Sequence, residues 1–317
     1  MAATTVAPSA KAPARPVMQR GRAHRPGRLR RRAADNLTGY AFLVGGVLCF
    51  AFFSWYPMVR EFIMSFQRTR RGVTTWVGWD NYVRVWHDPA FTAAWKNTIE
   101  FTLLALVLGY ALPFLIAVLL NEFRHARGYL RVLVYIPVML PPASGLFLFK
   151  YAYDPGNGVF NEVLRALHLP TSQWVQSEAM TIPSLVIAST WLNMGSAVLI
   201  YLAALQNVPG ELYEAAELDG AGLLRRIWHV TVPQTRLILS LMFLLQIVAT
   251  MQLFIEPFIL AGGSGVQNHA ESIVYLIYQH AFSFNHDLNG AAALGVMLML
   301  VLLVFSGLYT WLSPKQD

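Results

Sequence analysis

The sequence predicts an all-α, polytopic membrane protein with six transmembrane helices and a charged helical elbow between the fourth and the fifth. The first observation is composition: 56% of the 317 residues are hydrophobic and 13% are charged, with a mean hydropathy of +0.45. The second is a set of six long apolar stretches, and the third is the group of acids and arginines between Pro209 and Pro233. A soluble domain of this length would be less apolar.

The stretch before the apolar runs, residues 1–36, predicts a disordered tail. It is rich in Ala, Pro and Arg, has no acidic residue before Asp35 and shows no helical periodicity. It lacks the apolar core of a secretory signal, and its prolines disfavour an organellar transit peptide. No aromatic residue precedes Tyr40 to stack on a base, so its charge does not indicate nucleic acid. We expect a basic cytoplasmic tail followed by one transmembrane domain over residues 37–317.

Six apolar stretches are long enough to cross the roughly 30 Å hydrocarbon layer, which takes about 20 helical residues. They are Tyr40 to Met64, Asn97 to Leu120, Leu130 to Tyr151, Ile182 to Leu205, Leu237 to Leu260 and Ala291 to Leu312. The third contains Pro137, Pro141 and Pro142, which predict kinks that neighbouring helices accommodate. The chain is therefore expected to cross the membrane six times.

The basic residues predict the orientation of the chain. Nine of the 24 Lys and Arg lie in the first 32 residues. With that tail in the cytoplasm, sixteen of the 24 fall on the cytoplasmic side of the predicted spans and eight fall outside. Since cytoplasmic loops are enriched in Lys and Arg, we expect both termini and residues 209–233 on the cytoplasmic side of the membrane.

The segment of residues 209–233, called the elbow below, predicts two short helices joined at a glycine. Glu211 falls in the first turn of the first helix, where exposed N–H groups and the helix dipole favour a negative charge. Asp219 and Gly220 supply the turn, because glycine takes a positive φ without steric cost. A second apolar helical repeat follows until Pro233 interrupts it just before the fifth apolar stretch.

The elbow resembles the signature of the membrane subunits, or permeases, of binding-protein-dependent ABC importers, which is E-A-A, then D-G-A, then a hydrophobic position and a proline. The matching residues are Glu214, Ala215, Ala216, Asp219, Gly220 and Ala221, followed by Ile227, Val230 and Pro233. The resemblance implies that the first six form a coupling helix, which docks on a separate ATPase and transmits its closure to the transmembrane helices. Where family members often have a second proline, this chain has Leu237.

Further matches extend the resemblance from about Tyr40 to the C-terminus. Trp76, Gly78, Asn81 and Tyr82 stand in the places of the family's F-x-G-x-x-N-Y block, and Ala261, Gly262 and Gly263 stand where T-G-G is usual. These blocks look most like the carbohydrate branch, of the maltose and glycerol-phosphate type. The resemblance implies import of a sugar or oligosaccharide that an extracytoplasmic solute-binding protein delivers to a complex of this permease, a second permease and two ATPase subunits.

Three polar residues within the apolar stretches, Asn193, Gln252 and Glu256, are candidates for the solute pathway. Gln252 and Glu256 are four apart and would share one helix face, and a charge near the helix centre costs about 2.5 to 3.5 kcal/mol. Such a carboxylate is expected to face a cavity or a partner. The alternatives are that Glu256 reaches water at the outer surface and that Asn193 hydrogen-bonds to a neighbouring helix.

The chain offers no site for nucleotide or metal chemistry. It has no Gly-Lys dipeptide, hence no P-loop, and its eight histidines lack metal-ligand spacing. We expect no catalytic residue, metal or cofactor in this chain, and the resemblance puts ATP and Mg²⁺ on the partner ATPase.

Two other functions remain as alternatives. An ion- or proton-coupled secondary carrier would have several membrane-embedded titratable groups, whereas Glu256 stands nearly alone here. A rhomboid-like intramembrane serine protease is more remote. The run from Gly262 to Gly265 reads G-x-S-G, but the last apolar stretch has no histidine to act as a base.

Overall fold

The computed structural model of the chain describes residues 27–122, 127–263, 268–282 and 286–312, with side chains from residue 39 onward apart from residue 127. The helices within these ranges are α1 (Gly27–Phe50), α2 (Tyr56–Ser65), α3 (Asp80–Trp86), α4 (Pro89–Ala105), α5 (Leu112–Glu122), α6 (Arg127–Tyr135), α7 (Pro142–Ala152), α8 (Val159–Ala166), α9 (Glu178–Gln206), α10 (Gly210–Leu218), α11 (Leu223–Arg226), α12 (Val232–Met251), α13 (Ile255–Leu260), α14 (Ile273–Phe282) and α15 (Leu288–Leu312). The strands are β1 (Gln67–Arg70) and β2 (Val73–Trp76). π-Helical segments cover Ala51–Trp55, Leu106–Ala111 and Ile227–Thr231, and 3₁₀ segments cover Ile136–Met139 and Trp174–Gln176. The all-α class is confirmed.

Several of these helices join into membrane-length stretches. Five stretches of described residues are long and apolar enough to cross a membrane: Gly39–Ser65, Pro89–Glu122, Glu178–Gln206, Leu223–Met251 and Leu288–Leu312. A sixth arises if the bent pair Gly128–Met139 and Pro142–Ala152 makes one span. The chain is thus a multi-pass membrane protein, as predicted, and the count of six stays a prediction.

The first 58 residues form a unit of their own, and its described part is helical. Helix α1 begins at Gly27, inside the stretch predicted as a tail, because Arg and Ala are strong helix formers. Residues 1–26 lie outside the described residues, so disorder there stays a prediction. Phe42 and Phe53 are 82% and 81% exposed. A helix that is apolar all round is suited to a lipid environment.

A β-hairpin after α2 is a local departure from the all-α prediction. Strands β1 and β2 pair antiparallel, and Arg71 and Gly72 form the turn with φ of 48° and 81°, the positive values that a two-residue hairpin turn requires. Asn81 is fully buried and donates hydrogen bonds to the carbonyls of Ser65 (2.9 Å) and Gln67 (2.7 Å). Asn81, which the sequence placed in a family block, therefore fixes the hairpin against the end of α2.

The third predicted span is two helices set at 94° to each other. Helix α6 ends at Tyr135, a 3₁₀ turn follows, and α7 begins at Pro142. Proline has no N–H to donate and disfavours helical geometry in the residue before it. With Pro137 and Pro141 also present, the chain cannot continue one helical hydrogen-bond ladder, so the predicted kink is a near right-angle break.

The fifth predicted span begins earlier than expected. The helical stretch runs from Leu223 to Met251 without ending at Pro233, so the prediction that Pro233 interrupts the pattern was wrong. The π-helical segment Ile227–Thr231 lies directly before the start of α12, where Pro233 stands. A π turn is wider than an α turn, and this local adjustment accommodates the proline ring.

The fifth predicted span also ends earlier than expected. Helix α12 stops at Met251, and α13 begins only at Ile255, so the predicted continuous span from Leu237 to Leu260 is a broken helix. Pro257 explains the break. In an unbroken helix its ring would clash with the carbonyl of residue 253, whereas the first turn of a new helix tolerates proline.

Three buried clusters hold the helices after residue 59 together. Ile182 and Leu185 of α9 belong to the first cluster, with α7 and α13, and Val198 and Tyr201 of the same helix belong to another, with α5. The remaining cluster joins α3, α4, α14 and α15 around residues such as Leu294. Helix α9 therefore connects two of the cores and is the fixed element on which the site below is built.

Candidate functional site

A polar cavity of about 350 Å³ lies at the break between α12 and α13, beside α9 and the π-helical segment Leu106–Ala111. The polar side chains that line it are Ser189, Thr190, Asn193, Gln246, Thr250, Gln252 and Glu256. Irregular backbone at membrane depth is tolerated where it lines a cavity or is buried in protein. The broken helix and the polar lining together make this cavity the candidate solute site.

Two exposed amides stand at the cavity. Asn193 lies near the middle of α9 and donates from Nδ2 to the carbonyl of Ser189 (2.8 Å). Gln252, just after α12, donates from Nε2 to the carbonyl of Val248 (3.0 Å). Each amide is held in position by its own helix, and amides both donate and accept hydrogen bonds. This is the chemistry that a hydroxyl-rich solute needs.

Glu256, in the first turn of α13, is the ionisable group among the described residues that line the cavity. The residue is 9% exposed, and its Oε1 accepts a hydrogen bond of 2.9 Å from Oγ of Ser189. A buried carboxylate is costly unless hydrogen bonds compensate for lost water, and Ser189 supplies one such bond. This bond connects α9 to the short helix on the other side of the break.

Gln246 and Gly109 belong to the cavity as well, and the sequence reasoning missed them. Nε2 of Gln246 lies 3.4 Å from the carbonyl oxygen of Ala105, to which it donates. A Cβ atom on Gly109 would lie 2.6 Å from that nitrogen, so glycine leaves space for the amide. Gly109 is in a π-helical segment, a feature frequent at functional sites. The sequence did offer a signal for Gln246, because a glutamine inside an apolar stretch is a candidate for a polar site.

The structure brings all three predicted pathway residues to one cavity: Asn193, Gln252 and Glu256 all line it. The reason given for pairing the last two was wrong, because they do not share one face of a continuous helix. The helix ends at Met251, and the two residues stand on opposite sides of the break. They meet because the broken chain turns both toward α9.

A larger groove, of about 660 Å³, runs between α4, α12 and α15. Its lining is mostly apolar, with Leu103, Phe243 and Phe305 among the residues that form it. Solute sites combine apolar walls with a few well-placed polar groups, and this groove offers few of the latter. The smaller polar cavity is therefore the candidate site, and the groove suits an apolar chain or helix.

Within residues 209–233 lie two helices, α10 and α11, with Gly220 in the turn between them. Gly220 has a φ of +73°, and its N–H donates to the carbonyl of Glu217 (3.0 Å). The N–H of Ala221 donates to the carbonyl of Ala216 (2.9 Å). These two bonds form a Schellman motif, which caps a helix C-terminus through a left-handed residue that is usually glycine. The D-G-A part of the signature thus sets the bend.

The elbow is largely uncovered. Helix α10, all of whose residues are described, has no buried residue, and Leu218 is 90% exposed. Two side-chain contacts hold it to the following helix: an ion pair between Glu217 and Arg226, and a 3.2 Å hydrogen bond between the hydroxyls of Tyr213 and Thr231. An exposed helix with apolar side chains facing outward is a surface to which a partner can bind.

A charged cluster joins α3, α14 and the start of α15. Arg84 pairs with Asp287, and the His280 ring nitrogens lie 3.3 Å from an oxygen of Asp88 and 3.5 Å from one of Asp287. Burial raises the pKa of Glu271 to about 7, with repulsion from Asp88 adding to it and His280 opposing it. A hydrogen bond with Asp287 raises the pKa of His280. The cluster cross-links three elements distant in sequence.

Similarity to known proteins shows the family to which this chain belongs. A family model described as "binding-protein-dependent transport system inner membrane component" matches residues 103–317. The chain belongs to that family. The resemblance in the sequence is thereby confirmed, and the permease is a membrane subunit of an ABC transport system rather than an enzyme. Ser264 of the G-x-S-G run lies outside the described residues.

Individual relatives match the permease over most of its length. The arabinooligosaccharides transport system permease protein AraP of Bacillus subtilis (strain 168) is 31% identical over 84% of this chain and 85% of the relative. The lactose transport system permease protein LacF of Rhizobium radiobacter is 27% identical over 89% of this chain and 95% of the relative. A similar chain occurs in a solved bacterial alginate ABC transporter, in complex with an alginate pentasaccharide-bound periplasmic protein. The two chains superpose with a TM-score of 0.80 at 23% sequence identity, over 91% of this chain and 98% of the other. The fold of the permease is therefore that of an ABC importer subunit.

Proposed function

We propose that the permease is one membrane half of an ATP-driven importer, and that its solute is a sugar or oligosaccharide delivered by an extracytoplasmic binding protein. The observation that carries this proposal is the polar cavity at the break between α12 and α13. Its exposed amides, Asn193 and Gln252, match the donors and acceptors of sugar hydroxyls. AraP and LacF, which are named for the transport of arabinooligosaccharides and of lactose, support the same solute class.

The elbow is the proposed docking surface for the ATPase. Its contact residues would be those of the signature: Glu214, Ala215, Ala216, Asp219, Gly220 and Ala221. The first helix has no buried residue of its own, which leaves its surface available to a partner subunit. The ion pair of Glu217 with Arg226 links α10 to α11, and this link would pass a movement of the elbow to the following helix. ATP and Mg²⁺ would be bound by the ATPase alone.

The orientation and the remaining partners belong to the same proposal. The excess of basic residues predicts that both termini and the elbow face the cytoplasm, where ATP is present. Asn193 and Gln252 are exposed at the cavity, which leaves one side of it available to a second permease that would complete the wall of the pathway. The assembled importer would then contain two permeases, two ATPase subunits and the binding protein.

Uptake by a reconstituted complex tests the proposal. The permease, purified with the subunits that remain bound to it, would be placed in liposomes with internal ATP and an external binding protein. Labelled neutral oligosaccharides of pentoses and hexoses would be offered one at a time. We expect ATP-dependent accumulation of at least one of them. Uptake without ATP, or uptake of ions or amino acids only, would contradict the proposal and favour a secondary carrier or another solute.

Cysteine labelling tests the orientation separately. Cys49 would be replaced with serine, and a single cysteine would be placed at Leu218, which is 90% exposed at the end of α10. We expect a membrane-impermeant thiol reagent to label this position in inverted vesicles and not in intact spheroplasts. The opposite pattern would place the elbow on the outer side and exclude its contact with an ATPase.

A further inference from the structure

The described lining of the cavity contains a carboxylate and no basic side chain. Among the described residues that line it, Glu256 is ionisable and none is Lys, Arg or His. The other polar groups, Asn193, Gln246 and Gln252 among them, are uncharged amides and hydroxyls. The wall that this permease contributes therefore presents either a negative charge or none.

This inference rests on the proposed function and specifies its substrate class. We propose that the cavity selects against anionic saccharides and accepts those without a carboxylate, phosphate or sulfate group. An anionic solute would lose its water on entering and would find no cation on this wall to compensate. When Glu256 is ionised, it also repels such a solute directly. When Glu256 is protonated, the missing cation alone still disfavours it.

The size of the effect follows from the distance between charges. When Glu256 is ionised, a solute carboxylate at about 6 to 10 Å from it, at an effective dielectric constant of about 20, is disfavoured roughly ten- to hundredfold in affinity. Glu256 is held toward α9 by the 2.9 Å bond from Ser189. The carboxylate is therefore kept at the cavity and not free to turn away from a bound solute.

The rest of the lining suits an uncharged sugar ring. Phe254 lines the same cavity and stands between Gln252 and Glu256 in the chain. Sugar rings combine hydroxyl edges with apolar C–H faces, and a site with aromatic walls and a few polar groups fits such a molecule. Phe254 offers the apolar wall, and the amides of Asn193 and Gln252 offer the polar contacts.

Family membership leaves the charge of the solute open. Relatives named for transport of neutral saccharides, such as LacF, occur beside one named for sn-glycerol-3-phosphate, UgpA of Yersinia pestis, which is 29% identical. The solved alginate transporter is described as importing an acidic polysaccharide. The charge of the cavity is what separates these possibilities for this permease.

Binding of matched disaccharides tests the inference without the selectivity of the binding protein. The assembled transporter in nanodiscs would be examined by saturation-transfer NMR and equilibrium dialysis. The probes are pairs that differ only in a hydroxymethyl group or a carboxylate at C6: digalactoside and digalacturonate, dimannoside and dimannuronate, cellobiose and diglucuronate. In each pair that binds, we expect the neutral member to bind roughly tenfold or more tightly.

A variant that adds a cation gives the decisive comparison. Gln252→Lys places a positive charge at an exposed position of the cavity, and we expect it to shift the ratio of affinities roughly tenfold toward the uronate. Gln252→Met, of similar length and uncharged, is the matched control and should leave that ratio near the original value. A ratio is used because a general loss of folding would lower both affinities together.

The outcomes separate the inference from the function on which it rests. Equal or tighter binding of the uronates by the original permease, or no change of the ratio in Gln252→Lys, would overturn the charge selectivity while leaving saccharide transport intact. Failure of every disaccharide to bind, in a transporter whose ATPase still responds to a loaded binding protein, would instead overturn the saccharide proposal, and the inference with it.

Discussion

The elbow and the cavity are built in opposite ways. The elbow is one contiguous segment, residues 209–233, whose bend is closed by two backbone hydrogen bonds at Gly220. The cavity collects residues from Phe101 to Glu256, which belong to α4, the π-helical segment Leu106–Ala111, α9, α12, α13 and the break between the last two. The first helix of the elbow can shift as one segment without changing the buried clusters. The cavity, by contrast, changes shape whenever one of the helices that line it shifts. The difference agrees with the roles proposed above, a docking surface for the elbow and a solute site for the cavity.

The largest effect is expected at the elbow. Glu214→Arg combined with Gly220→Val removes a proposed contact and places a β-branched residue at a φ of +73°. We expect ATP-driven uptake to fall to background, because the ATPase no longer engages the permease. The thermal midpoint of unfolding should fall by only about 2 to 4 °C. A loss of roughly 1 kcal/mol in the free energy of unfolding gives a shift of this order in a large chain. A transport assay measures the uptake, and differential scanning calorimetry measures the thermal midpoint.

A second glycine of the elbow, Gly222, provides the control for the Glu214 and Gly220 double variant. Gly222 has a φ of −68°, and a Cβ atom on it would meet no atom within 4 Å. Gly222→Ala is therefore expected to retain uptake and binding of the ATPase. Normal uptake by the Glu214 and Gly220 double variant would remove the elbow from the mechanism.

A smaller effect is expected at the cavity. Gln252→Ala deletes an exposed amide of the lining, and the loss of about one to two hydrogen bonds, each worth roughly 0.5 to 1.5 kcal/mol, should weaken the apparent solute affinity about tenfold. Maximal ATPase activity and co-purification of the ATPase should stay unchanged. Gln234→Ala, at an exposed position in the first turn of α12, is the control. If both variants bind solute like the original, Gln252 does not contact it.

A subtler change tests whether the cavity depends on its packing. Gly109→Ala would bring a Cβ atom to 2.6 Å from Nε2 of Gln246, and the flexible end of that side chain must move away. We expect a roughly two- to fivefold change in solute affinity, of the order of one weak hydrogen bond. Gly307→Ala, where a Cβ meets no atom within 4 Å, should change nothing. Equal affinities for both variants would show that Gln246 is not part of the solute contact.

The smallest effect lies outside both regions, at the charged cluster. Folding favours the protonated form of Glu271, whose pKa is raised to about 7 from an ordinary value of 4.5. Its stabilising contribution is therefore present below pH 4.5 and lost as the pH rises to 7. His280, whose pKa is also raised, adds a loss above pH 6.5. We expect the thermal midpoint to fall by a few degrees between pH 5 and pH 8.

The variant Glu271→Gln separates the two groups. It removes the carboxylate and should flatten the pH dependence of the thermal midpoint below pH 7, while the part due to His280 persists. Glu162→Gln, at an exposed carboxylate on α8, serves as the control and should keep the original pH profile. A steeper profile in Glu271→Gln would contradict the assigned cause.

The elbow and the membrane spans could be predicted because their signals are local. An apolar stretch of about 20 residues has few alternatives to a membrane helix, and a glycine after a short helix has few alternatives to a left-handed cap. The broken helix had a local signal too. Pro257 lies inside the predicted span from Leu237 to Leu260, where no break was predicted, and the helix is broken just before it.

The cavity could be predicted only in part. Asn193, Gln252 and Glu256 were found because polar residues in apolar stretches are rare. Ser189, Gln246 and Gly109 were missed, since a serine, a glutamine or a glycine in a membrane helix is more often a packing or helix-contact residue. Nothing in their spacing shows that three different helices bring them to one place.

By itself, the sequence determined the number of apolar stretches, the bend at Gly220 and the membership of a transport family, because hydrophobic length and backbone preference act along the chain. Tertiary structure alone decided that Glu256 pairs with Ser189 and faces a cavity without a basic side chain among its described lining. The reason is physical: such a contact exists only after helices from distant parts of the chain have packed, and their packing depends on all of the residues between them.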